Sequence, residues 1–150
     1  MKFNPLLQID SRSFLLPGLL TVSLLLFFPQ QASTEPGLLR ELTQSRIEQL
    51  RRDGHLKIGD TQIASVTLLP AFYQRLEFRP AWIGRYANAE KLVQLIEKSR
   101  DEGLNPADYH ALRIRSMLDE VTVRPTLSAS EQIDLDISLT DALIRYAYHR

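Results

Sequence analysis

The chain has 150 residues, eighteen basic and eighteen acidic side chains, and no cysteine. The missing cysteine excludes disulfides, a thiol nucleophile and a thiolate metal site. The balanced charge argues against a nucleic-acid binder, which carries a basic excess.

Lys2 and Arg12 precede a stretch without a single charge, Ser13 to Thr34, whose centre runs from Phe14 to Phe28 in mostly Leu and Phe. A basic head followed by an apolar run is an export signal. Residues 1–34 are therefore expected to be a signal peptide or signal anchor. Peptidase sites after Ala32 or Thr34 fit poorly, because Gln30 or Thr34 falls where a small residue belongs. The uncharged stretch is about the length that spans a bilayer, roughly 17–25 residues, which favours a retained anchor over cleavage. The N-terminal charges keep that end in the cytoplasm. The expected location is periplasmic, anchored in the inner membrane by residues 13–34. Removing Lys2, Asp10 and Arg12 with this leader leaves a net charge of minus one and about 115 residues, enough for one domain.

Glu35-Pro36-Gly37 breaks the leader from the domain. Leu38 to Arg52 reads as a helix with Leu39, Leu42, Ile47 and Leu50 inward; Arg51 and Arg52 suit its C-terminus and Gly54 the left-handed position after it. His55 to Ile58 and Gln62 to Ala64, around Gly59-Asp60-Thr61, predict a small β-hairpin. Leu68 to Phe78 predicts a second helix with Pro70 in its first turn and Leu69, Phe72, Tyr73 and Leu76 at three- and four-residue spacing. Arg79-Pro80-Ala81-Trp82 leaves it extended.

Asn88 is placed as the cap of a third helix, Ala89 to Glu102, with Leu92, Val93 and Ile96 as its stripe and Gly103 as its end. Asn105-Pro106 starts a fourth, carrying Ala107, Leu112, Ile114 and Leu118. Thr122 to Thr126 is a link. Ser128 and Glu131 have capping-box spacing and open a last helix from about Ala129. Ile133 to Leu139 alternates like a strand, yet Leu135, Leu139, Ala142 and Tyr146 continue at helical spacing. Leu143 to Tyr148 puts apolar groups on more than one side and is expected to leave apolar surface open. The fold class is mostly α, a small helical domain with one short β-hairpin behind the leader.

The chemistry-bearing residues form no recognisable site. His55, His110 and His149 lie in no nucleophile motif, and Ser65, Ser116 and Ser128 lack a base supplied by one. Asp134, Asp136 and Asp141 share the last helix, and Glu77 sits among aromatics; a carboxylate pair could serve glycoside cleavage, but a solvated helix face is the expected reading. No His/Asp/Glu cluster has metal-ligand spacing and no Gly-rich loop cradles phosphate. Phe72, Tyr73, Phe78 and Trp82 fall within eleven residues, with Arg75 and Arg79 interleaved. They suit a sugar-binding platform, or a compact core with arginine stems over it; the coincidence with the helix stripe favours core.

Three segments together carry a family resemblance. Leu69-Pro70-Ala71-Phe72-Tyr73-Gln74-Arg75-Leu76-Glu77-Phe78-Arg79-Pro80-Ala81-Trp82, then Glu102-Gly103-Leu104-Asn105-Pro106-Ala107-Asp108-Tyr109-His110, then Asp136 to Ala147, resemble in the same order the scaffold region of the large exported L,D-transpeptidases, which cross-link peptidoglycan in Gram-negative bacteria. The resemblance covers roughly residues 38–150. It implies a non-catalytic helical scaffold domain whose partners are the catalytic and peptidoglycan-binding modules of the same family, or peptidoglycan itself. In that family the nucleophile is a cysteine in a downstream catalytic domain, in a Ser-x-Gly-Cys-type motif. With no cysteine here, no catalytic residue carries over, and catalytic, cofactor and metal residues are all expected to be none. The expectation is a truncated product or a scaffold standing alone. Two further readings stay open: a stand-alone envelope module that binds peptidoglycan or a wall synthase, and a small helical glycan-cleaving enzyme using Glu77 or an Asp of the last helix.

Overall fold

The computed structural model describes residues 36–123 and 127–150. The expected leader, and part of the link before the last helix, lie outside the described residues. Five α-helices and one two-stranded hairpin follow in the order α1 (Pro36–Asp53), β1 (Lys57–Ile58), β2 (Thr61–Gln62), α2 (Leu68–Arg75), α3 (Tyr86–Lys98), α4 (Ala111–Val123) and α5 (Ala129–His149). Short 3₁₀ turns, Ser99–Glu102 and Pro106–Tyr109, link α3 to α4. The fold is mostly α with one small hairpin, as the periodicity predicts. No helix among the described residues is long and apolar enough to cross a membrane.

α1 begins at Pro36, where a missing N–H costs nothing in a first turn. Its seam is Leu39, Thr43, Ile47 and Leu50. Leu42 packs half-buried against the same cluster, and Thr43 joins the seam because its hydroxyl donates to the Leu39 carbonyl at 2.8 Å. The helix closes on Gly54 at φ +69°, whose N–H donates to the Leu50 carbonyl. The hairpin pairs Lys57 with Gln62 and Ile58 with Thr61 around Gly59-Asp60. Gly59 sits at φ +57° under the Arg113 guanidinium, and a Cβ there would lie 2.5 Å from Arg113 Nη2.

Several boundaries differ from expectation: α1 takes in Pro36 and Gly37, α3 gives way to a 3₁₀ turn after Lys98 rather than running to Glu102, and α4 keeps Thr122 and Val123 of the expected link. α2 stops at Arg75, three residues before Phe78, because Glu77 and Phe78 both take left-handed backbone, at φ 53° and 60°. Phe78 N–H then donates to the Tyr73 carbonyl at 2.8 Å, closing the helix end without a glycine. α3 starts at Tyr86 rather than after Asn88; Arg85 precedes it without a side-chain cap, and Asn88 lies in the first turn. Asn105 does accept from the Ala107 N–H at 3.2 Å, but it caps a single 3₁₀ turn. His110 then reverses to φ 57° before α4 begins.

Two apolar clusters form the core. One gathers Ala89, Leu92, Val93 and Ile96 of α3, Tyr109, and Ala111, Ile114 and Leu118 of α4 around Leu135, Leu139, Ala142 and Tyr146 of α5. The other gathers Leu39, Ile47 and Leu50 of α1, Leu56, Ile58 and Ile63 of the hairpin region, and Leu69 and Tyr73 of α2 around Ile133 and Ile137. α5 is the wall between them. At about 100° per residue, Ile133 and Ile137 face one cluster while Leu135 and Leu139 face nearly the opposite way. That is why the run from Ile133 to Leu139 alternates like a strand while being a helix. Burial on two faces leaves only two narrow seams for the polar residues of α5. Ser128 accepts from the Glu131 N–H, and Glu131 reaches back to the Ser128 N–H, so the capping box is real. Arg115 of α4 bridges to Glu90 and Glu97 of α3.

Candidate functional site

The first seam of α5 carries Asp136 and Thr140, one turn apart and both buried. Asp136 Oδ1 accepts from Tyr73 OH at 2.7 Å and from Ala81 N–H at 2.9 Å. Its Oδ2 accepts from Trp82 N–H at 2.7 Å and Ile83 N–H at 3.2 Å. Three successive backbone N–H groups thus converge on one carboxylate, an arrangement that binds anions in many proteins; here the anion belongs to the chain. Thr140 Oγ1 accepts from the Trp82 indole N–H at 2.9 Å, lies 2.9 Å from Tyr73 OH, and donates to the Asp136 carbonyl. Burial pushes the Asp136 carboxyl above the usual range, against the opposing pull of the N–H groups of Ala81 and Trp82. Burial, then the Asp136 charge, pushes the Tyr73 phenol well up. The same causes in the same order raise Tyr86, on the first turn of α3.

The second seam carries Asp134, Ser138 and Asp141. Asp141 is wholly buried, and its Oδ1 accepts from Ala64 N–H at 3.2 Å and Ser65 N–H at 2.7 Å, the stretch that leads from the hairpin to α2. Its Oδ2 is buried with no hydrogen-bond partner. Asp134 pairs with Arg46 of α1 at 3.1 Å, and burial raises its carboxyl more than Arg46 lowers it. Ser138 donates to the Asp134 carbonyl within the helix.

A third junction forms where α4 meets the end of α5. Tyr109 is buried and crosses Tyr146 edge-on, with ring centroids 5.9 Å apart. Its hydroxyl lies 2.8 Å from His149 Nδ1, and the Arg145 guanidinium stands over its ring at 5.7 Å. Arg145 also donates to His110 Nε2 at 3.3 Å. So the second of the three signature segments meets the third through Tyr109 and His110, and the first meets it through Tyr73, Ala81 and Trp82.

The remaining candidates fall as follows. The solvated carboxylate face expected on the last helix is not there: Asp136 and Asp141 are buried and Asp134 is half-buried, because α5 has clusters on both sides. Glu77 is exposed, at a left-handed position. His55 is exposed, with Nδ1 2.9 Å from the Asp53 carbonyl. Ser65 serves through its backbone, Ser128 caps α5 and Ser116 is exposed. Of the four aromatics, Tyr73 is core. Phe72 and Phe78 are half-buried against the cluster around Ile137, and Trp82 against the one around Leu139. The open apolar end expected at Leu143 to Tyr148 shrinks: Leu143 and Ile144 pack half-buried on opposite clusters, Tyr146 is buried, and Tyr148 is left 84% exposed. Among the described residues, no group of three or more His, Asp or Glu side chains could hold a metal ion. Sequence reasoning missed Thr140 as a site residue. Its signal was the four-residue spacing from Asp136, which puts both on one line of the helix.

The three junctions spend polar groups of α5 on holding segments from elsewhere in the chain, through backbone N–H groups in the first two and side chains in the third. No curated protein and no solved structure matches the chain. A family profile described as "Scaffold domain" matches residues 67–150, from the residue before α2 to the end of α5, which spans all three signature segments. The chain belongs to the Scaffold domain family.

Proposed function

We propose that this chain is the non-catalytic scaffold of an L,D-transpeptidase-like cell-wall protein, working on the periplasmic side of the inner membrane and held there by residues 13–34. Its task is to hold catalytic and peptidoglycan-binding modules in register. One observation carries this reading. Asp136 accepts four hydrogen bonds from α2 and from the segment 81–83. A carboxylate with its lone pairs occupied in this way fixes a frame rather than moving protons.

The test is complementation in two pieces. The chain is co-expressed with the catalytic and wall-binding parts of a large L,D-transpeptidase from which the scaffold has been deleted. Cross-links formed in sacculi are then counted by muropeptide analysis. Recovery of cross-linking together with co-purification of the pieces is expected; neither appearing would sink the proposal. A periplasm-dependent reporter fused after Arg150 should be active if the topology is right.

The stand-alone wall-binding reading draws support from the half-exposed rings Phe72, Phe78 and Trp82, with the exposed Arg75, Arg79 and Arg85 interleaved. A pull-down on purified sacculi, with the chain alone, distinguishes it from the scaffold reading.

A further inference from the structure

His110 is influenced from three elements at once: by Gln62 of the hairpin, Arg113 of α4 and Arg145 of α5. It is half-buried and held at φ 57° by its position between a 3₁₀ turn and α4. Arg145 of α5 donates to its Nε2, so that nitrogen carries a lone pair and no proton in this arrangement. Asp141, one turn before Arg145 on the same line of α5, faces the imidazole as an opposing charge. Arg113 faces it from α4, and the Gln62 carbonyl faces it from β2 as an acceptor. The imidazole therefore accepts from one cation, while the charge of a buried carboxylate opposes that cation's effect on it. Asp141 Oδ2 is buried without a partner, whereas Oδ1 of the same group holds Ala64 and Ser65.

We propose that His110 is an acid-operated switch: neutral, its Nε2 accepts from Arg145; protonated at Nε2, it has no lone pair left to accept with and releases Arg145. The proton comes from solvent, and no other bond is made or broken. In the neutral state Arg145 is tied to His110 and lies over Tyr109, clamping the end of α5 to α4. In the acid state the imidazolium and the guanidinium repel, so Arg145 leaves Tyr109 and becomes a free surface cation near the exposed Tyr148. Burial of the ring and the Arg145 charge, in that order, lower the pH at which His110 protonates, while Asp141 and the Gln62 carbonyl work against them. The device therefore acts in mildly acid conditions, below the free imidazole value of about 6.5. It rests on the geometry of this junction and not on the transpeptidase reading.

The experiment is a histidine and arginine side-chain NMR titration of the full chain in detergent micelles, from about pH 8 to about pH 5, the span over which an imidazole titrates. Wild type should show His110 protonating at Nε2 below the free value, and the Arg145 guanidinium losing its ordered signal over the same interval. Arg145→Gln removes the repelling charge and should move the His110 midpoint up by about a unit, the usual effect of one close charge. Asp141→Asn should move it down by a comparable amount. Trp82, the one tryptophan of the chain, reports through its fluorescence on global unfolding and should stay constant throughout. Three results would overturn the switch: an Arg145 that stays ordered while His110 protonates, an Arg145→Gln midpoint equal to wild type, or a Trp82 signal that changes in step with His110. Should Asp141→Asn fail to fold, the Arg145→Gln midpoint decides alone.

Discussion

At the residue scale, the energetics concentrate on Asp136. Removing it strands Tyr73 OH and three backbone N–H groups in a buried place, and leaving buried donors without an acceptor costs about 1–3 kcal/mol each before relaxation. Asp136→Ala is therefore expected to lose a large part of the roughly 5–15 kcal/mol that holds a domain of this size, and to be recovered unfolded or degraded; soluble, folded Asp136→Ala by circular dichroism would contradict the role given to it. Tyr73→Phe deletes one donor and keeps the ring, so a loss of about 1–2 kcal/mol in urea unfolding is expected. The carboxyl also titrates abnormally. Its folded-state value is raised by burial, so folding binds the proton more tightly than the unfolded chain does. Its contribution is fully present below the unfolded value near 3.9 and is lost as pH rises through the raised folded value. Wild type should thus gain on Asp136→Asn when both are unfolded in urea at about pH 4 rather than about pH 7. A gap that narrows or stays flat would contradict the raised value. None of this was legible in the sequence, where three aspartates on a helix read as solvated. A carboxylate shows its hydrogen-bond partners only once segments distant in the chain are folded onto it.

At the element scale, the helices were legible and their ends less so. Helix existence follows from apolar periodicity, which survives local disturbance, and from the glycine at 54, which fell where the left-handed position was needed. Ends depend on single residues. Asn88 has the chemistry of a cap, but the chain turns into α3 two residues earlier, where the loop that Asp136 holds delivers it. Phe78 looks like helix stripe, but it lies in a left-handed reversal closed by its own N–H on the Tyr73 carbonyl. The capping box at Ser128 and Glu131 was read correctly because both partners are local. Ser128→Ala should cost about 1 kcal/mol, the usual loss of a side-chain cap, measured by thermal or urea unfolding. Gly59→Ala should be destabilising as well, since alanine resists a positive φ and its Cβ would meet the Arg113 guanidinium; an unchanged midpoint would show that Arg113 swings clear without loss. The alternation through Ile133 to Leu139 illustrates the limit of pattern reading: two opposed faces of a buried helix and one face of a strand give the same short pattern, and the continuation to Tyr146 separates them.

At the scale of the whole molecule, two clusters share one helix, so neither closes without α5. Thermal unfolding should be a single transition seen alike by Trp82 fluorescence and by far-ultraviolet circular dichroism; two separated transitions would mean that the clusters are independent. Leu139→Ala, which opens a cavity beside α3 and α4, should lower both signals together and cost about 2–5 kcal/mol. The wall helix also sets a timetable. Its polar contacts reach across 54 residues to Trp82, 63 to Tyr73, 77 to Ala64 and 88 to Arg46. Closing loops of that length is paid in chain entropy before any contact repays it, and long sequence separations slow folding well below the pace of ordinary helical bundles. A chain emerging vectorially, from a ribosome or a translocation channel, would hold α1 to α4 with their apolar faces open until the final helix arrived. At about 5–20 residues per second of synthesis, that waiting period lasts seconds, long enough for holding chaperones or proteases to compete with the native state for the same surfaces.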